Sequence, residues 1–141
     1  MELPRLMKLP NLDDLDWVGI HSLETPEALV CLIQTCEVSL LRYFVIDIAG
    51  TLSKAQLFER FSEALRLPDY FGYNWDALYD VLCDREWLGD SGVVLHLKHT
   101  GSFEKLAADD WFILRATLED AINYWRKSKL PFWVFVDYAS G

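Results

Sequence analysis

The chain has 141 residues, of which 52% are hydrophobic and 25% are charged, a balance typical of one globular domain. Its 22 acidic and 13 basic residues give a net charge of −9, which argues against direct binding of nucleic acid, because phosphate groups require clustered lysines and arginines. No run reaches the roughly 18 apolar residues of a membrane span, and the N-terminus has no continuous hydrophobic leader core. We therefore expect a cytoplasmic protein that does not enter membranes.

The N-terminal part of the chain predicts an arm, a strand and a helix. Two prolines interrupt residues 1–15, which favours an extended arm or loop. A short strand is predicted around residues 17–20. Thr25 is a suitable helix cap, and Pro26 suits the first helical position, where a missing N–H has no cost. This helix is predicted to end near Cys36.

The rest of the chain alternates strands and helices. The run after Arg42 is almost entirely apolar and predicts a strand buried on both faces. Ser53 and Gln56 form a capping box at the start of a helix. In chain order the predicted elements are a strand over residues 42–48, a helix over 53–68, a strand over 93–97, a helix over 109–125 and a strand over 132–136. Strands separated by helices indicate an α/β fold with a small parallel sheet of three or four strands.

Between these elements lies an acidic loop followed by a short helix. Asn74 is the predicted cap of this helix, because its side chain can accept hydrogen bonds from the first-turn amides. Asp76 and Asp80 are four residues apart and should lie together along one flank. Asp84 continues this row if the helix runs that far. The apolar face beside this flank is predicted to carry Trp75, Leu78, Tyr79 and Leu82.

This acidic segment has more charge and more aromatic rings than a stable helix needs. Six acidic residues and one basic residue lie between Asp69 and Asp90. Two aspartates on a solvated helix often serve only solubility, but like charges four residues apart repel by about 0.2–0.5 kcal/mol. One short helix cannot bury all the rings of Tyr70, Phe71, Tyr73, Trp75 and Tyr79. Exposed rings beside unneutralised carboxylates favour an interface with a basic protein.

The same segment resembles the signature of the barstar family of ribonuclease inhibitors. The shared pattern is Leu-Pro, an acid, two aromatics, Gly, any residue, Asn, an apolar residue, Asp-Ala-Leu, an aromatic and Asp, and it covers residues 67–80 here. A weaker similarity extends over residues 42–138, so residues 1–41 form an N-terminal extension of the single domain. The resemblance implies a barstar-like parallel sheet packed with helices, to which the extension adds a strand and a helix.

The resemblance also implies that the chain blocks the active site of a basic or toxin-type ribonuclease. The residues carried over as the partner-binding site are Tyr70, Gly72, Asn74, Trp75, Asp76, Tyr79 and Asp80, with Asp84 as an additional acidic contact. Asp80 would pair with the arginines and catalytic histidine that hold RNA phosphate, and Asp76 would meet a further basic group. Tyr70 would cover the catalytic imidazole, and Tyr79 would pack at the rim. No cofactor is implied.

The chain departs from the family at an acidic contact, among other positions. An acid that the family supplies from its last helix falls near Asn123 or Tyr124, neither of which is acidic. The contact is therefore expected to be missing unless Glu119 or Asp120 supplies it.

Two other functions remain open at this point. The chain could be a binding module that engages another basic protein without inhibiting it. It could also be an enzyme that uses Asp76, Asp80 and Asp84 as a magnesium site or as acid–base carboxylates. Neither a phosphate-binding glycine loop nor a nucleophile–base pair accompanies them, so we predict that the chain is not an enzyme.

The cysteines and histidines do not suggest a metal. Cys31, Cys36 and Cys83 are odd in number and lack metal-ligand spacing, so we expect buried free thiols. His96 and His99 lack a third ligand nearby, so no metal site is predicted.

Overall fold

A computed structural model describes residues 12–23, 25–69 and 71–137. Four parallel strands form one sheet in the order β1-β4-β3-β2, which confirms the predicted α/β fold with a small parallel sheet. The strands are β1 (Ile20–Leu23), β2 (Arg42–Asp47), β3 (Val93–Lys98) and β4 (Phe132–Asp137). The helices of the described ranges are α1 (Pro26–Glu37), α2 (Lys54–Leu65), α3 (Trp75–Leu82), α4 (Arg85–Leu88), α5 (Gly101–Leu106) and α6 (Ala108–Lys127).

Helices cover both faces of the sheet. Successive side chains of a strand point to opposite faces, so Phe132 and Trp133 face opposite layers. Phe132 contacts Trp125 of α6, with 5.4 Å between the ring centroids. On the other face α1 packs against the two edge strands, and its Cys36 is close enough to Tyr43 to add to the rise of the tyrosine pKa that burial causes. Residues 20–37 therefore contribute an edge strand and a covering helix.

The core is centred on β3 and β4, whose first five residues are all buried. β2 is different, because it lies at the edge of the described sheet and its Val45 is 40% exposed. The prediction that this strand is buried on both faces is therefore wrong. An apolar run alone does not indicate which strands have neighbours on both sides.

Other boundaries also differ from the sequence prediction. β1 begins at Ile20 instead of near Trp17, because a turn in which the Trp17 N–H donates to the Asp14 carbonyl at 3.1 Å precedes the pairing with β4. The sequence predicted neither α4, which follows Asp84, nor α5. The predicted arm falls largely on residues 1–11, which lie outside the described residues.

The helix caps agree with the sequence. The side chains of Thr25, Ser53 and Asn74 accept hydrogen bonds from the amides of residues 28, 56 and 77, and each begins a helix. In the capping box the Gln56 side chain accepts from the N–H of Leu52, one residue before the cap.

A buried polar network joins three strands. The Tyr43 hydroxyl lies 3.0 Å from Nδ1 of His96, and Nε2 of the same ring lies 2.7 Å from the Asp137 carboxylate. Asp137 also accepts from the His99 N–H at 3.2 Å. His96 is 1% exposed, so this histidine has protein partners on both ring nitrogens. The network accounts for the two histidines that the sequence left unassigned, since His99 pairs with Asp47 at 2.9 Å.

Candidate protein-binding site

Helix α3 holds the acidic segment in a fixed position. The Ala77 N–H donates to Asn74 Oδ1 at 2.8 Å, which confirms the predicted cap. Leu78 and Leu82 are fully buried and anchor the helix to the core. At its C-terminal end, Trp125 Nε1 of α6 donates to the Leu82 carbonyl at 2.7 Å. Both ends of the helix are therefore fixed by hydrogen bonds.

Gly72 leaves room for this cap. The Asn74 side-chain nitrogen donates to the Gly72 carbonyl at 3.2 Å. A Cβ at Gly72 would lie 3.1 Å from that nitrogen and 3.3 Å from the Ala77 Cβ. A side chain here would therefore crowd the first turn of α3.

The aromatic rings near α3 differ in their exposure to solvent. Phe71 is buried, and its ring packs against Phe58 of α2 with 6.4 Å between the ring centroids. Trp75 is half-buried and meets the same Phe58 ring edge-on at 4.9 Å. Tyr73 is 49% exposed. The exposed Tyr73 agrees with the expectation that one short helix cannot bury all the rings, whereas α2 supplies an apolar surface that covers Phe71 and part of Trp75.

Tyr79 is half-buried between α3 and α6. A hydrogen bond with Cys83 is the main cause that raises the pKa of Tyr79 to about 12, followed by burial and by the charges of Cys83 and Asp120. Tyr124 of α6 also contributes. The charge of Asp120 therefore acts on the α3 surface, whereas Glu119 is 4.0 Å from Arg115 on its own helix.

Asp76 and Asp80 are both exposed on α3. The ion pairs among the described residues are His96–Asp137, His99–Asp47 and Arg115–Glu119, so neither aspartate is neutralised there. Asp76 lies in the first turn, where the helix dipole favours an anion. Asp80 lies one turn further on and receives less of this stabilisation.

Asp84 does not extend the row on α3. The helix ends at Leu82, and Asp84 instead caps α4 by accepting from the N–H groups of Glu86 and Trp87 at 3.0 and 3.1 Å. The helix therefore does not run far enough for Asp84 to continue the row of Asp76 and Asp80, because the chain turns at Cys83.

Asp80 and Asp84 instead face a common groove of about 260 Å³. Gly72 lies along the same groove, and so does Trp87 of α4. Sequence reasoning missed Trp87, although an isolated tryptophan inside an acidic stretch is itself a signal for an interface. This groove brings together residues from the loop, α3 and α4.

The structure describes every residue of the predicted site except one. Tyr70 lies outside the described residues.

No cluster of three or more histidine, cysteine or acidic side chains within the described ranges could hold a metal ion. Cys36 is buried, Cys31 and Cys83 are half-buried, and none of these three cysteines is in a disulfide bond. Among the described helices, none has the length and apolar character needed to cross a membrane.

A comparison with models of protein families gives one match that covers α3 and the groove. The family model described as Barstar (barnase inhibitor) matches residues 41–137, which is more than half of the chain and includes α3 and the whole groove. No curated protein shows significant similarity to the chain.

Proposed function

The chain belongs to the barstar family, and from this premise we propose that it inhibits a basic ribonuclease by placing Asp76 and Asp80 in the active-site cleft. The observation that carries the proposal is the pair of exposed aspartates on α3 without a basic partner among the described residues. Such carboxylates imitate phosphate oxygens and accept paired hydrogen bonds from guanidinium groups.

The rigidity of α3 supports this role. An inhibitor loses less entropy on binding when its contact groups are already ordered. Here the cap at Asn74 and the bond from Trp125 to Leu82 hold both ends of the helix. The two carboxylates therefore belong to an ordered element that does not need to fold during association.

The groove beside Asp80 supports a cationic occupant. Asp80 and Asp84 contribute two carboxylates to it, while Phe71 and Trp87 contribute apolar surface. A guanidinium group combines a charged edge with flat apolar faces, and it suits such a mixture. An arginine side chain of the ribonuclease is the group that we place there.

The aromatic residues provide the rest of the surface. Tyr73 is exposed, and Trp75 and Tyr79 are half-buried, so part of each ring remains open to a partner in the same segment as the aspartates. Aromatic anchors contribute much of the binding energy in protein interfaces, and their surroundings exclude water from the charge pairs. We place Gly72 and Asn74 in the contact surface as well, together with Tyr70.

The direct test measures RNA cleavage by a panel of small bacterial ribonucleases, both basic and acidic, with increasing amounts of the purified chain. We expect stoichiometric inhibition of at least one basic enzyme and none of the acidic enzymes. Asp80→Asn should weaken inhibition about 30-fold or more, as expected for a central charge pair worth about 2 kcal/mol. Asp90→Asn is the matched control, because Asp90 is exposed in the same acidic stretch but lies outside the groove.

The outcomes separate the candidate functions. Equal effects of the Asp80 and Asp90 substitutions would contradict the proposed centre of the site. Binding of a basic ribonuclease with unchanged RNA cleavage would overturn inhibition and support the non-inhibitory binding module.

A further inference from the structure

A second cleft lies next to the acidic groove and has the opposite charge. Its volume is about 520 Å³, and its lining includes Arg42, Arg66, Phe44, Glu86 and Trp87. Trp87 lines both this cleft and the acidic groove, so the two sites adjoin. The cleft contains residues that the proposed inhibitory function does not use.

Arg42 is held in a fixed position in this cleft. Its guanidinium carbon lies 4.9 Å from the centroid of the Phe44 ring, and its Nη1 donates to the Trp87 carbonyl at 3.2 Å. Gly89 leaves space for the same side chain, since a Cβ there would lie 2.8 Å from Arg42 Cδ. These contacts order the guanidinium and leave its other N–H groups free to donate.

Arg66 approaches from the end of α2. It caps that helix in the left-handed conformation, with φ 52° and ψ 51°, so its side chain leaves the helix at a sharp turn. Neither arginine forms an ion pair within residues 12–23, 25–69 and 71–137. Glu86 lines the cleft but lies beyond ion-pair distance of both guanidinium groups.

Trp87 gives the cleft a fixed aromatic wall. Its Nε1 donates to the Leu65 carbonyl at 3.0 Å, and its side chain is 38% exposed. The indole is therefore oriented by the protein while part of its surface remains open. An aromatic ring of a ligand can stack on such a surface.

We propose that this cleft binds a nucleoside monophosphate, with the phosphate at Arg42 and Arg66 and the base against Trp87. Guanidinium groups form paired hydrogen bonds with phosphate oxygens, and the indole provides the stacking surface. The volume is within the usual range of about 300–1,000 Å³ for small-molecule sites. A long RNA is excluded by the acidic residues next to the cleft, because they repel further phosphates.

The test is calorimetric and NMR titration of the isolated chain with adenosine monophosphate, adenosine and inorganic phosphate as separate probes. We expect saturable binding of adenosine monophosphate with a Kd of about 1 mM or tighter. Adenosine and inorganic phosphate should each bind at least about tenfold more weakly, because each lacks half of the contacts. The side-chain Nε–H signals of Arg42 and Arg66 should shift with the nucleotide.

Substitutions locate the site. Arg66→Asn removes the charge and keeps a residue that tolerates the left-handed conformation, and it should weaken nucleotide binding about tenfold or more. Arg85→Gln is the matched control, since Arg85 is an exposed arginine of α4 that does not line the cleft. Absence of saturable binding would overturn the proposal, as would equal losses in the two variants. Equally tight binding of inorganic phosphate would also overturn it, because the base would then contribute nothing.

Discussion

The hydroxyl of Tyr43 provides a sharp test of how the sheet is held together. Tyr43 of β2, His96 of β3 and Asp137 of β4 form a continuous hydrogen-bonded chain across three strands. With the proton on Nε2, the histidine donates to Asp137, and its Nδ1 accepts from the tyrosine hydroxyl. Tyr43→Phe removes this one donor and keeps the ring.

The expected cost follows from the burial of the histidine. His96 is 1% exposed, so water cannot replace the lost hydroxyl at Nδ1. A buried acceptor left without a donor costs about 1–3 kcal/mol. We therefore expect Tyr43→Phe to lower the free energy of unfolding by that amount near neutral pH.

The raised pKa of Tyr43 also predicts that the protein loses stability in alkali. Burial, followed by the charges of Cys36 and Asp137, raises the pKa of Tyr43 from 10.0 to about 12. The native protein then retains the tyrosine proton to higher pH than the unfolded chain does. The contribution of the protonated tyrosine to the free energy of unfolding is fully present below pH 10. It is lost as the pH rises towards 12, and the loss is at most about 3 kcal/mol. Burial also raises the pKa of Cys36 to about 11, so ionisation of this thiol further lowers the stability of the folded protein at high pH.

Urea unfolding at about pH 7 and about pH 11, followed by tryptophan fluorescence and circular dichroism, measures both effects. The difference between wild type and Tyr43→Phe should be largest at neutral pH and should narrow in alkali, because only wild type loses the tyrosine contribution. Tyr124→Phe is the control, because Tyr124 is 38% exposed and its hydroxyl has no hydrogen bond in the part of the chain that is described. An unchanged midpoint for Tyr43→Phe at neutral pH would refute the reasoning.

Three further predictions concern the caps, the turns and the charge of the site. Asn74→Ala should lower the free energy of unfolding by about 1 kcal/mol and weaken ribonuclease inhibition, since α3 loses its cap; unchanged values in urea and RNA-cleavage assays would contradict this. Gly89→Ala should lower the melting temperature more than Gly50→Ala, because both have positive φ but only at Gly89 would a Cβ approach another side chain within 3 Å; equal shifts would contradict the predicted clash. Raising the salt concentration from about 0.05 to 0.5 M should slow association with an inhibited ribonuclease in stopped-flow measurements, and a constant rate would mean that the aspartates do not steer binding.

The helix starts could be read from the sequence because caps depend on nearby residues. At Thr25, Ser53 and Asn74 the side chain bonds to an amide three residues later, so the whole interaction lies within four residues of sequence. The one-turn helix α4 gave no such signal, because four residues cannot show a helical repeat. The sequence could therefore not decide whether Asp84 continues the row on α3 or caps a new helix.

The burial of strands and rings could not be read in this way. The apolar runs of β2 and β3 look alike in sequence, but only β3 has neighbours on both sides. Phe71 is buried because Phe58, thirteen residues earlier, packs against it. Such contacts depend on which elements the fold brings together.

The sequence by itself determined the family signature, the capped helix and the placement of Asp76 and Asp80 on one flank of it. Only the tertiary structure decided that Asp80 and Asp84 share a groove and that Trp87 separates this groove from a cleft with two arginines. The reason is that these features depend on interactions over different distances along the chain. Capping and charge spacing act over one turn of helix, whereas grooves form where segments far apart in the chain pack against each other.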